Sequence, residues 1–271
     1  MNNILIITSG NVNKIADFER EGVTLASFND ISYTTDDMKL TLPSGADVKD
    51  FKIIYFRMVG KSLEIATLVA DYAKQNGIQI VDEMYETTHL LPISLGKALE
   101  MRRLNEKGIR IPKTLFGDFS KLSFPYIVKS TSGQKAREVW MVKTQEELDE
   151  LKKKFEKNKF YFAQELVPNA RRIRVLVVGD KAVGAIVRHT KWNQDHTKET
   201  LNPIPEDIAK LAVDSAKAVS LNISGIDILV NSETNEMYII EANAAPSWKL
   251  INKYCGISVE DEIIKYLQTK I

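Results

Sequence analysis

The sequence predicts a protein in two parts, an α/β first third and an α+β remainder. Two observations predict this. Up to Val81, short apolar runs alternate with helical spacing. Beyond Pro112 the pattern changes to strands paired through tight, polar turns. Strands interleaved with helices imply a small parallel sheet, and strands joined by short turns imply antiparallel hairpins.

In the first part, Asn3 to Thr8, Lys52 to Arg57 and Ile78 to Val81 are apolar runs of strand length. Between them, Ile65, Leu68, Val69, Tyr72 and Ala73 recur at helical spacing over Leu63 to Asn76, and Gly77 ends the helix. Ser94 to Lys107 reads as a helix capped by Ser94 and stopped by Gly108. The boundary between the parts is expected near His89 to Ser94.

In the second part, Tyr126 to Lys129 is a strand leading into the hydroxyl-rich run Ser130 to Gln134. Thr144 to Lys157 is an exposed helix with Thr144 as its cap and Leu148, Leu151 and Phe155 on one face. Tyr161 to Val167 is a strand. Arg174 to Val178 and Lys181 to Arg188 form a hairpin about Gly179-Asp180. Glu206 to Leu221 is helical, Gly225 to Val230 pairs with Glu236 to Asn243, and Val259 to Gln268 is the last helix.

Bulk properties narrow the function. The 271 residues are 44% apolar and 27% charged, with a net charge of +1. That is ordinary for a soluble globular protein and lacks the basic surplus of a nucleic-acid binder, so no nucleic-acid partner is expected. A single cysteine, Cys255, precludes an internal disulfide and fits a reducing cytosol. The first residues lack a basic segment, and no apolar run nears the roughly 20 residues of a spanning helix, so no membrane is expected. A cytoplasmic protein is the expectation.

Asp227, Glu241 and Asn243 are the strongest chemical grouping. Glu241 and Asn243 share a strand face because the period is two. Folding the hairpin about Thr234 brings Asp227 opposite Glu241, to within a residue of register. Two carboxylates and an amide oxygen suit Mg²⁺. The alternative is a solvated sheet face bearing two unrelated acids. Against it, the acids fall among Ile226, Ile228, Leu229, Ile239 and Ile240, where they would repel without a cation.

Lys129 ends an apolar strand, as either a snorkelling terminus or a charge facing phosphate. The adjoining loop offers backbone N–H groups, although Gly133 is its one glycine up to Gln134. Arg174 and Arg188 fall within about two residues of pairing in their hairpin. They are either a clamp for a triphosphate or carboxylate, or an exposed basic edge. His89, His189 and His196 show no zinc spacing. Trp192 and Trp248 line a pocket or simply pack, and Cys255 reads as buried. Lys135, Arg137, Arg171, Arg172 and Lys191 hint at an acidic substrate, though exposed basic residues are usually just solvated.

Taken in order, these segments resemble the ATP-grasp fold, in the variant of the RimK-type amino-acid ligases. The matching stretches are Lys97 with its helix and Gly108 to Pro112; Phe124 to Lys129; Gln164 to Val167; Arg174 to Arg188; Gly225 to Leu229; Ile240 to Pro246; and Cys255 to Val259. Phe56 to Gly60 resembles the small domain that precedes this fold. The resemblance implies a pre-ATP-grasp domain over 1–91 and an ATP-grasp domain over 92–271, with nucleotide between two α+β lobes. It implies that ATP and Mg²⁺ are the cofactors. Lys97, Lys129 and Gly133 would serve the phosphates, and Gln164, Glu165, Leu166 and Val167 the adenine, largely through backbone groups. Asp227, Glu241 and Asn243 would hold Mg²⁺, with Arg188 and Arg174 as catalytic residues.

The reaction implied is amide formation between a carboxylate substrate, a peptide or small acid, and an amine acceptor, through an acyl-phosphate. The other readings are a non-catalytic nucleotide-binding module and an ATP-grasp kinase. A homo-oligomer is compatible with the sequence. Two departures from the family stand out. The loop Ser130 to Glu138 is poorer in glycine and gains Lys135 and Arg137, so it is expected to close over phosphates by charge. And Ala170 to Ile173 lacks the acid that the family places on the ribose.

Overall fold

The computed structural model describes residues 3–33, 39–86, 96–117, 119–131, 138–157, 159–188 and 198–271. Its N-terminal sheet has the parallel order β2-β1-β5-β6, built from β1 (Ile4–Thr8), β2 (Val23–Ser27), β5 (Ile53–Met58) and β6 (Gln79–Val81). A small antiparallel pair, β3 (Ser32–Tyr33) and β4 (Leu40–Thr41), lies between β2 and β5 in the chain. Every residue of β1 is buried, as the unbroken apolar run requires of a strand covered on both faces. Helix α1 (Leu63–Gln75) buries Ala66, Val69, Ala70 and Ala73, one helical stripe. It ends where expected: Gly77 takes φ +68° and the Ile78 N–H closes back on the Ala73 carbonyl at 2.9 Å.

Helix α2 (Lys97–Glu106) starts later than the sequence suggests. Its cap is Gly96, with no side-chain hydrogen bond, and Ser94 lies outside the described residues. Gly108, at φ +71°, stops it. The next four strands, β7 (Thr114–Phe116), β8 (Tyr126–Ser130), β9 (Val139–Val142) and β10 (Tyr161–Glu165), form an antiparallel sheet in the order β7-β10-β8-β9. Helix α3 (Gln145–Lys152) covers one face with Leu148 and Leu151, packed on Tyr126, Val128 and Ala163. Thr144 caps it by accepting from the Glu147 N–H. The helix is shorter than expected because Phe155 leaves it to stack on Tyr161, with ring centroids 3.7 Å apart.

The last sheet is β13-β12-β11-β14-β15, from β11 (Ala170–Val178), β12 (Lys181–Arg188), β13 (Lys198–Thr200), β14 (Ile223–Asn231) and β15 (Met237–Asn243). Helix α4 (Glu206–Ala218) lies on one face, against Ile173, Val175, Ile226 and Ile228. On the other face Leu176, Val178 and Ile223 pack with α5 (Lys249–Cys255) and α6 (Val259–Gln268). Period-two alternation puts Arg172 and Arg174 on that second face too, beyond the apolar end. One sheet face is therefore greasy at one end and charged at the other.

The parallel sheet and this last sheet share two apolar clusters, whereas the β7-β10-β8-β9 sheet has a cluster of its own. The expected boundary at 91/92 falls in residues 87–95, outside the described residues. Among the described residues no helix is long and apolar enough to cross a membrane.

Candidate active site

The site is built by ladder register. Asp227 on β14 is the partner of Arg174 on β11 and of Glu241 on β15, so Arg174, Asp227 and Glu241 form a row across three strands. Arg172 is the partner of Arg188, and Arg174 pairs with Ile186. Arg174 and Arg188 are thus diagonal neighbours, two residues apart in register.

Asp227 is 0% exposed. Arg174 donates to both its oxygens, from Nε at 2.8 Å and Nη2 at 2.7 Å, and Arg172 Nη2 also donates to Oδ2. Burial alone would raise the Asp227 pKa, but the two guanidinium charges overcome it and hold the carboxyl well below the usual range. Glu241 is more open, with its side chain 32% exposed, and its Oε1 accepts from Lys97 Nζ at 2.9 Å. Asn243 donates from Nδ2 to the Gly225 carbonyl at 3.3 Å, which leaves Oδ1 as its acceptor.

Lys97, at the first turn of α2, also donates to Glu100 Oε2 at 2.9 Å. Glu100 is 1% exposed, and its Oε1 accepts from the Ala242 N–H at 2.7 Å. One buried carboxylate thus ties the lysine to the backbone between Glu241 and Asn243. Lys129 on β8 donates to Gln164 Oε1 at 2.5 Å, and Gln164 Nε2 donates to Thr114 Oγ1 at 2.9 Å. Burial lowers the Lys129 pKa to about 8, opposed by the charge of Glu241. Arg188 carries no side-chain hydrogen bond or ion pair among the described residues. Burial and then the neighbouring Arg174 and Arg172 push its pKa down.

Gln164 sits inside β10, paired on both sides, and the Glu165 N–H is taken by the Lys113 carbonyl at 2.9 Å. Of the four adenine candidates, Leu166 and Val167 lie past the strand end. Gly133, with Lys135 and Arg137, lies outside the described residues, as do His89, His189, Lys191, Trp192 and His196. Trp248 packs: it is buried, Arg57 stacks on its ring at 4.0 Å, and its Nε1 donates to Glu260 at 2.5 Å. Cys255 is half-buried, and its Sγ donates to the Ala185 carbonyl at 3.4 Å.

Sequence reasoning missed Glu100, Thr114 and Arg172 as parts of this site. Arg172 was legible, being two residues from Arg174 and so on its face, whereas its neighbour Arg171 is exposed. Glu100 carried no such signal, because its function depends on a partner 142 residues away.

Five cations, Lys97, Lys129, Arg172, Arg174 and Arg188, thus gather around three carboxylates, Glu100, Asp227 and Glu241. The model of the RimK-like ATP-grasp domain matches residues 103–267. The chain belongs to this family. It is 25% identical over 190 residues to the probable alpha-L-glutamate ligase of Trichodesmium erythraeum, covering 63% of this chain and 62% of that protein. It is 27% identical over 190 residues to the ribosomal protein bS6–L-glutamate ligase of Escherichia fergusonii, covering 64% and 63%. The chain therefore spans less than two thirds of the length of these curated relatives. Among solved structures, the ATP-grasp ligase PsnB complexed with precursor peptide PsnA2 and AMPPNP superposes with a TM-score of 0.75 at 14% identity. That likeness covers 99% of this chain and 97% of PsnB, and it establishes the fold.

Proposed function

We propose that this RimK-like ATP-grasp chain is an ATP- and Mg²⁺-dependent carboxylate–amine ligase. In that reaction a carboxylate takes the γ-phosphoryl group of ATP, and an amine then displaces phosphate to leave an amide. The observation that carries the reading is the ladder pair Asp227–Glu241 set among more positive than negative side chains. A surplus of partly buried positive charge calls for a polyanion, and facing carboxylates call for a cation.

The residues fit both groups. Among the described residues no three His, Cys, Asp or Glu side chains are grouped so that they could hold a metal ion, so the Asn243 amide completes the donor set. Asp227, Glu241 and Asn243 Oδ1 are hard oxygen donors of the kind Mg²⁺ takes, leaving places for water and phosphate. Mg²⁺ would supply charge neutralisation where negative charge spreads over the transferred group. Lys97 and Lys129 approach from α2 and β8 and would hold phosphate oxygens from two sides. Arg188, which has no ion pair among the described residues, would serve the γ-phosphate and the acyl-phosphate, with Arg174 beside it. Leu166 and Val167 supply backbone groups for adenine. The relatives' names support a peptide or small acid as the carboxylate substrate and an amino acid as the amine.

Calorimetric titration with a non-hydrolysable ATP analogue tests the reading. Binding that strengthens when Mg²⁺ is added supports it. Equal binding with and without Mg²⁺, or none, contradicts it.

A further inference from the structure

Both oxygens of Asp227 are already taken. Arg174, its ladder partner, holds them in a fork, and Arg172 reaches Oδ2 from two pairs further along, opposite Leu229. A divalent cation approaching Asp227 would meet guanidinium charge and occupied lone pairs.

The two arginines are not equally settled. Arg174 makes a complete bidentate pair. Among the described residues Arg172 donates to a single oxygen and its buried Nε has no hydrogen-bond partner, and it faces the like charge of Arg188 across the ladder. A buried donor without an acceptor and a neighbouring like charge both favour an arrangement with an added anion. Arg172 is therefore the arginine with most to gain by leaving Asp227 for a phosphate oxygen.

We propose that Arg172 guards Asp227, holding the carboxylate until a polyphosphate draws the guanidinium away, so that divalent cation and polyphosphate bind together far better than either binds singly. The inference rests on the Mg²⁺–ATP reading above. Coupling of this kind is reciprocal: whatever the polyphosphate does for the cation, the cation does for the polyphosphate.

The test is Mn²⁺ binding, read as the loss of the free-ion spin-resonance signal, with and without AMPPNP. Wild-type protein should bind Mn²⁺ weakly alone and about tenfold or more tightly with AMPPNP, within the range usual for linked sites. Arg172→Met should bind Mn²⁺ alone several-fold better than wild type, with the coupling reduced by a similar factor. Asp227 keeps its fork with Arg174 in that variant, and thermal unfolding checks the fold. Arg188→Met removes the same charge from the same face without touching Asp227, and should gain much less.

No gain in Arg172→Met, or an equal gain in Arg188→Met, overturns the guard while leaving the Mg²⁺–ATP reading standing. Failure of wild-type protein to bind Mn²⁺ even with AMPPNP overturns both. Should Arg172→Met not fold, Arg172→Lys, shorter and without the fork, is expected to show a smaller gain in Mn²⁺ affinity. No gain there is equally fatal.

Discussion

Asp227 and Glu241 face each other as ladder partners, and the register slips by one residue immediately beside them. Asp227 pairs with Glu241 but Ile228 pairs with Ile239, so Ile240 is the extra residue of a bulge. The bulge resets the alternation along β15. Ile239 and Ala242 go into the core, while Glu241 and Asn243 stay at the charged end of the sheet. Without it, the acid opposite Asp227 would fall out of phase with the apolar residues that anchor the strand.

Removing the more open acid separates chemistry from stability. Glu241→Ala should abolish turnover while shifting the unfolding midpoint little, because the side chain is part-exposed and surface-like changes usually lie within about 0.5 kcal/mol. Turnover and denaturant unfolding measured on the same preparation check this. A fully active variant contradicts the metal assignment.

Lys129 makes the site pH-sensitive. Its pKa falls from the usual 10.5 to about 8 in the folded protein. Between those values the unfolded chain holds the proton and the native chain does not, so this group adds stability as pH rises from about 8 towards 10.5. Nucleotide affinity should move the other way, falling as pH rises through about 8, because a neutral amine no longer attracts phosphate. Calorimetry of an ATP analogue across that range should show the fall in wild type and a weaker, flatter dependence in Lys129→Met. An identical profile in the variant returns Lys129 to a structural role.

Glu100 is predicted to matter through its acceptor atoms. Glu100→Leu leaves the Ala242 N–H buried without a partner, a loss of about 1–3 kcal/mol in unfolding free energy. Glu100→Gln keeps an acceptor there and should lose less stability, since Lys97 retains Glu241 as its counter-ion. Equal urea midpoints for the two variants would argue that the Ala242 bond contributes nothing.

Gly225 tests the support behind Asn243, its ladder partner. A Cβ there would lie 2.8 Å from Cβ of Pro246, whose carbonyl is itself held by Arg57 Nη2 at 2.8 Å. Gly225→Ala should therefore lower stability by about 1–3 kcal/mol through overpacking. It should also raise the Mg²⁺ concentration needed for half-maximal turnover, because the segment after β15 must move. An unchanged melting temperature and Mg²⁺ dependence would show that the loop yields freely.

The sequence disclosed the fold where local pattern decides it. The run Ile4 to Thr8, the stripe of α1 with its Gly77 stop, and the Gly179-Asp180 turn all follow from periodicity and backbone conformation. Asp227 opposite Glu241 was legible because turn and alternation fix the register to a residue. The short strands β7, β9 and β13 were not, since each is defined by a distant partner more than by its own residues. For the same reason the network of Glu100 stayed hidden, as did the contacts of the Gln164 side chain with Lys129 and Thr114.

The proposed ligase activity joins a carboxylate to an amine at the expense of ATP. Its most direct test is ADP and phosphate release in a screen of amino acids and short acidic peptides, with mass spectrometry of the product. Both should be released only when carboxylate and amine are present together, with a product heavier by the amine less one water. A product carrying phosphate without any amine would make this chain a kinase. No release with any pair, despite bound nucleotide, would make it a binding module, and either result contradicts the ligase.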